Sequence, residues 1–150
     1  MLKVVQLTAA FEAANPSLKE AVHDKNRGYG IVAITYNGLT FGIPLRTNLT
    51  HKNGVILDTI EKNGRVYNRG LDYTKAVLIR NPLIEIGDVF FVPHDQKAKL
   101  ITTKDMIINQ FQKYVAGYVS AVQREKHNTL SGPMYRYSTL VNYHAELGLL

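Results

Sequence analysis

Apolar and polar residues alternate weakly from Met1 to Leu7, which reads as a strand. Asn15-Pro16-Ser17 then predicts the start of a short helix running from Pro16 or Ser17 to Val22, because proline is tolerated in a first helical turn. His23 to Gly28 is polar and turn-like. Tyr29 to Tyr36 is rich in β-branched and aromatic residues, and Asn37-Gly38 separates it from a second such run, Leu39 to Leu45. Asn-Gly between two strands signals a hairpin, since both residues accept positive φ. The pair recurs at Asn53-Gly54 and at Asn63-Gly64, which together predict a tightly connected antiparallel sheet. Further strands are expected over Tyr73–Arg80 and Asp88–Pro93.

The period then changes. From Thr103, read as an N-cap, to about Lys126, apolar residues fall at Ile107, Phe111, Tyr114, Val115, Tyr118, Val119 and Val122. This is the spacing of one amphipathic helix covering a face of the sheet. Gly117 within it weakens helix propensity and marks close packing. Leu130 to Pro133 is a turn. Ser138 or Thr139 caps a last short helix to Leu147, or else Tyr135–Tyr143 is a strand. The expected fold is therefore a single α+β domain over residues 1–150. It has a strongly bent antiparallel β-sheet or small barrel, a long amphipathic helix and short flanking helices.

Composition narrows the class. Of 150 residues, 45% are hydrophobic and 20% charged, and no apolar run approaches the ~20 residues that span a bilayer. The first residues carry one lysine and a broken apolar stretch, unlike a signal peptide. With no cysteine, disulfides, thiolate metal sites and cysteine nucleophiles are excluded, which fits a reducing cytoplasm. The net charge of +6 permits a polyanionic partner without establishing one, and nine tyrosines offer flat faces for unstacked bases. None of the five histidines falls in metal-ligand spacing and no glycine-rich nucleotide loop is present, so no cofactor is expected.

Candidate chemistry concentrates in Phe41 to Gly54. A strand ends in Arg46, Thr47, Thr50, His51 and Lys52: cations, an imidazole and hydroxyls suited to a phosphodiester. In an extended chain Thr50 and Lys52 would face away from His51, so convergence requires the chain to turn. A second basic cluster comprises Arg65, Arg69 and Lys75. Beside it, Asp72 reads as orienting an arginine or capping a turn, and Tyr73 as a stacking or anchoring ring. The third is Tyr135-Arg136-Tyr137. The candidate RNA contacts are Tyr29, Arg65, Arg69, Tyr73, Lys75, Arg136, Tyr137 and Ser138.

Three segments, FGIPLRTNLTHK (41–52), RGLDYTKAVLI (69–79) and YRYSTLVNYH (135–144), resemble the toxins of type III toxin–antitoxin systems, the ToxN/AbiQ-like endoribonucleases, most closely the TenpN and CptN branches. The resemblance implies a compact core of the MazF/Kid type and metal-independent cleavage of single-stranded RNA to a 2′,3′-cyclic phosphate. It implies a repeat-derived, pseudoknotted RNA antitoxin that closes with the toxin into a hetero-oligomer, and a cellular or phage RNA substrate. Thr47 or Thr50 matches the hydroxyl position, Lys52 the lysine and Arg46 a phosphate contact. A proton-carrying role for His51 is inferred from its chemistry alone. The rival expectation is a non-catalytic RNA- or DNA-binding module, or a domain whose basic face meets an acidic protein.

Overall fold

Seven strands organise the described residues, 2–21 and 30–150, of this computed structural model: β1 (Val4–Leu7), β2 (Gly30–Tyr36), β3 (Leu39–Arg46), β4 (Gly54–Lys62), β5 (Arg65–Asp72), β6 (Val77–Ile79) and β7 (Ile86–Val89). All pairings among them are antiparallel. Asn37 and Gly38 lie at φ 46° and 79°, and Asn63 and Gly64 at 52° and 76°, so the β2–β3 and β4–β5 hairpins turn through the left-handed pairs that their sequences predict. Tyr29 and the expected turn at 23–28 lie outside the described residues.

The sheet order is β4-β5-β3-β2-β1-β7, with β6 also on β3, and it is not closed into a barrel. The α+β class and the antiparallel sheet are as expected; the barrel alternative is corrected. One strand makes the site possible. β3 gives the edge opposite β2 to two partners, pairing Thr40–Gly42 with β6 and Leu45–Arg46 with β5. The hand-over falls at Ile43-Pro44, and a proline without an N–H belongs where a ladder is interrupted. The fork sets the end of β3 beside the end of β5.

Five α-helices accompany the sheet among the described residues: α1 (Ala9–Ala14), α2 (Pro82–Glu85), α3 (His94–Thr102), α4 (Lys104–Gln123) and α5 (His127–Leu130). The helix expected from Pro16 or Ser17 to Val22 does not form over 16–21, Val22 lying outside the described residues; the helix in this region, α1, ends before Pro16. The Thr8 hydroxyl accepts from Phe11 N–H at its start, and Asn15, at φ −133° and ψ 57°, ends it. The proline ring at position 16 disfavours α geometry at Asn15 and so stops rather than starts a helix. The expected strand at 73–80 opens instead as a 3-10 turn, Tyr73–Lys75, with Asp72 accepting from Thr74 N–H; only β6 is extended. The expected strand at 88–93 lies earlier, at β7, after Pro82 opens α2.

Helix α4 buries Ile107, Phe111, Tyr114, Val115 and Tyr118 as expected and Ala121 besides, while Val119 and Val122 are only half-buried. The Thr103 hydroxyl donates back to the Lys99 carbonyl (2.6 Å) and makes no cap for α4. The core lies between α4 and the sheet, where Phe111 meets Phe41 and Tyr73 edge-on at centroid distances of 5.7 and 5.8 Å. The last element is a 3-10 turn, Thr139–Tyr143, with the Ser138 hydroxyl accepting from Leu140 N–H. No described helix is long and apolar enough to cross a membrane.

Candidate functional site

Asp72 ends β5 with its side chain 4% exposed, and a carboxylate so buried needs donors. Four converge on it. Arg46 Nη1 lies 3.3 Å from Oδ2; His51 Nε2 (3.1 Å), Thr74 N (2.9 Å) and Thr74 Oγ1 (2.5 Å) surround Oδ1. Asp72 thus orients an arginine and caps a turn, both roles that its sequence context suggests, and it also holds the histidine.

The loop carrying His51 is pinned to the sheet. Leu49 N–H donates to the Asn68 carbonyl, Asn68 N–H to Asn48 Oδ1, and Tyr73 N–H to the Asn53 carbonyl. Asn53-Gly54 is not the hairpin turn expected of it, because neither residue takes positive φ. Gly54 instead pairs opposite Asp72, where any Cβ would collide with the Leu71 carbonyl. The chain bends at 51–53, and Asn53 N–H donates to His51 Nδ1 (3.0 Å). An accepting Nδ1 carries no proton, which assigns the ring proton to Nε2 facing Asp72. Both ring nitrogens are therefore engaged.

These groups border a cleft of about 510 Å³ that also reaches Lys75, Arg136 and Tyr137. Lys75 Nζ donates to the Tyr137 carbonyl (2.9 Å) and pairs with Glu20 (3.5 Å), joining the second basic cluster to the third. The Arg136 guanidinium lies 5.1 Å from the Tyr137 ring centroid. Behind them Tyr135 is buried, its hydroxyl donating to the Tyr114 carbonyl (2.7 Å). Burial pushes the Tyr135 phenol up to about 12 and raises that of Tyr114, so both remain hydrogen-bond donors at neutral pH.

The three sequence clusters are thus brought together in part. Arg46, Thr50, His51, Lys75, Arg136 and Tyr137 line one cleft; Thr47 and Lys52 are exposed outside its lining. Tyr73 is buried, its hydroxyl donating to Gln110, and Ser138 is the buried cap of the last turn. Arg65 sits at the far end of β5, roughly 20 Å from Asp72 at ~3.3 Å per residue. Among the described residues no three His, Asp or Glu side chains are arranged to hold a metal ion. Glu20, on the cleft wall, had no signal in the sequence: it lies far upstream in a segment without a motif.

Arg69 is committed elsewhere, forming a two-pronged pair with Asp58 at 2.7 and 2.5 Å, which Gln96 supports. The hydrogen bonds from Arg69 hold the Asp58 carboxyl below its ordinary 3.8. Arg69→Ala is expected to cost about 1–2 kcal/mol of stability. A carboxyl whose folded pKa is depressed stabilises above its unfolded pKa and loses that as pH falls through the folded one. Thermal melts should therefore show the wild-type advantage at pH 7 and its decline below pH 3.8. A stability unchanged by the substitution would mean that the Asp58 pair contributes nothing to the fold.

No family model, curated protein or solved structure matches this chain.

Proposed function

We propose that this chain is a metal-independent endoribonuclease, the toxin of a type III toxin–antitoxin pair, acting on single-stranded RNA in the cytoplasm. One observation carries the reading. The three segments that resemble the family, distant in sequence, all contribute to one cleft: Arg46, Thr50 and His51 from the first, Asp72 and Lys75 from the second, Arg136 and Tyr137 from the third. On this reading the open sheet under α4 is a variant of the MazF/Kid core. The same cleft would be closed by a repeat-derived pseudoknot RNA, the antitoxin.

The chemistry asked of the cleft is transesterification. The 2′-oxygen attacks phosphorus and loses its proton. The bond from phosphorus to the 5′-oxygen breaks, and that oxygen takes a proton, leaving a 2′,3′-cyclic phosphate and a 5′-hydroxyl. Arg46, Lys75 and Arg136 stabilise the added charge on the phosphorane oxygens, with the Thr50 hydroxyl as a further donor. His51 moves protons once Nδ1 leaves the Asn53 amide, while Asp72 keeps Nε2 in place.

The engaged ring nitrogens favour a second reading, a non-catalytic RNA-binding module using the same cleft. One assay separates them: single-stranded RNA incubated with the protein in chelator, followed by end-group analysis. The enzyme should leave 2′,3′-cyclic ends, with His51→Ala slower by roughly a hundredfold and RNA affinity falling steeply as salt rises. Retarded but intact RNA would support the binding module. RNA neither bound nor cut would overturn both.

A further inference from the structure

A second cleft of about 540 Å³ adjoins the first and shares two of its walls, Glu20 and Arg136. Its lining differs in kind. Val122, Leu130 and Val141 supply apolar surface, the buried Tyr118 and Tyr135 border it, and Tyr118 Oη lies 2.6 Å from His144 Nε2. The charges along it balance, Lys19 and Arg136 against Glu20 and Glu125. The first cleft sets three cations, Arg46, Lys75 and Arg136, against the two carboxylates of Glu20 and Asp72. A phosphate therefore has reason to enter the first cleft and none to prefer the second.

The neck between the two is built rather than incidental. Lys19 is clamped from both sides by Asn142, its N–H donating to Oδ1 (3.0 Å) and its carbonyl accepting from Nδ2 (2.8 Å). The next residue, Glu20, is held at φ 62°, a conformation that costs a residue with a side chain about 1 kcal/mol or more unless its surroundings fix it. The Glu20 carboxylate is thereby kept at Lys75, on the boundary of both clefts.

We infer that the second cleft is a nucleobase subsite, taking the base of a nucleotide whose phosphate lies in the first. A base has apolar faces and a polar edge and carries no charge, which matches apolar walls with a neutral polar rim. One ribose links a base to its phosphate, and two clefts with common walls satisfy that short tether. The inference rests on the first cleft being a phosphate site, and not on cleavage.

Titration of the protein with the four 5′-mononucleotides, ribose 5-phosphate and inorganic phosphate, followed by NMR or calorimetry, tests it. At least one nucleotide should bind about tenfold more tightly than ribose 5-phosphate, the order expected for burying one base against apolar walls. Val141→Trp, at a position 45% exposed and so able to fill the cleft without entering the core, should abolish that advantage. Equal affinity for nucleotides and ribose 5-phosphate would overturn the base subsite and leave the phosphate cleft standing. An advantage surviving Val141→Trp would overturn it too, because the base would then lie elsewhere. Binding of none of these ligands would overturn both the subsite and the phosphate cleft.

Discussion

Asp72→Asn is expected to cut RNA roughly a hundredfold more slowly while holding it no less tightly. The substitution keeps the shape of the side chain and one acceptor, so Thr74 can still cap. It puts an amide N–H₂ or its equivalent where Oδ2 now accepts from Arg46 Nη1, 3.3 Å away, and donor then faces donor. Arg46 swings out and His51 Nε2 loses its anionic partner. The cleft meanwhile gains one unit of positive charge, which favours a polyanion at any orientation. Orientation and charge thus pull cleavage and binding apart. The stability cost is about 2–3 kcal/mol, below the usual cost of breaking a buried pair because Arg46 is 36% exposed and screened by water. Single-turnover cleavage and fluorescence anisotropy on the same RNA measure the two effects. If rate and affinity fell together, Asp72 would merely support the fold; if neither changed, it would not organise the site.

What could be read from the chain depended on how local each cause is. Asn37-Gly38 and Asn63-Gly64 act through their own φ angles, and helix α4 through its own period, so both were legible. Asn53-Gly54 has the same spelling as the hairpin pairs and a different cause: Gly54 is there because the Leu71 carbonyl of the paired strand leaves no room for a Cβ. Helix α3 carried no usable period, since Gln96 and Leu100 are its only buried residues, and Pro93 offers no capping side chain. In the site, Arg46 and His51 stood out as residue types. That Lys52 lies outside the cleft while Lys75 enters it follows from the fork in β3 and the Asp72 cap, which no local window contains. Arg69 looked like Lys75 in the sequence; the difference is Asp58 across the β4–β5 ladder.

Gly117→Ala should destabilise the protein although helix propensity alone would have it stabilise by about 1 kcal/mol. A Cβ at Gly117 would stand 2.5 Å from the Tyr135 hydroxyl, which donates to the Tyr114 carbonyl. The ring is held in place: Tyr135 is 5% exposed and packs 5.0 and 5.3 Å, centroid to centroid, from Tyr114 and Tyr118. Overpacking costs about 1–3 kcal/mol and a displaced buried hydroxyl about 1–3 more, so after the propensity gain the net loss is about 1–5 kcal/mol. The displacement also reaches the cleft, because Arg136 and Tyr137 follow Tyr135 directly, and RNA affinity should fall several-fold with stability. Tyr135→Phe provides the internal control. It removes the colliding oxygen, and the next ring atom, Cζ, is an ordinary 3.7 Å from the added Cβ. Gly117→Ala combined with Tyr135→Phe should therefore be more stable than Gly117→Ala alone, even though Tyr135→Phe by itself costs about 1 kcal/mol. Chemical denaturation of the four proteins closes the cycle. Simple additivity would mean that Gly117 is not reserved for the Tyr135 hydroxyl, and that α4 does not hold the third wall of the cleft through this contact.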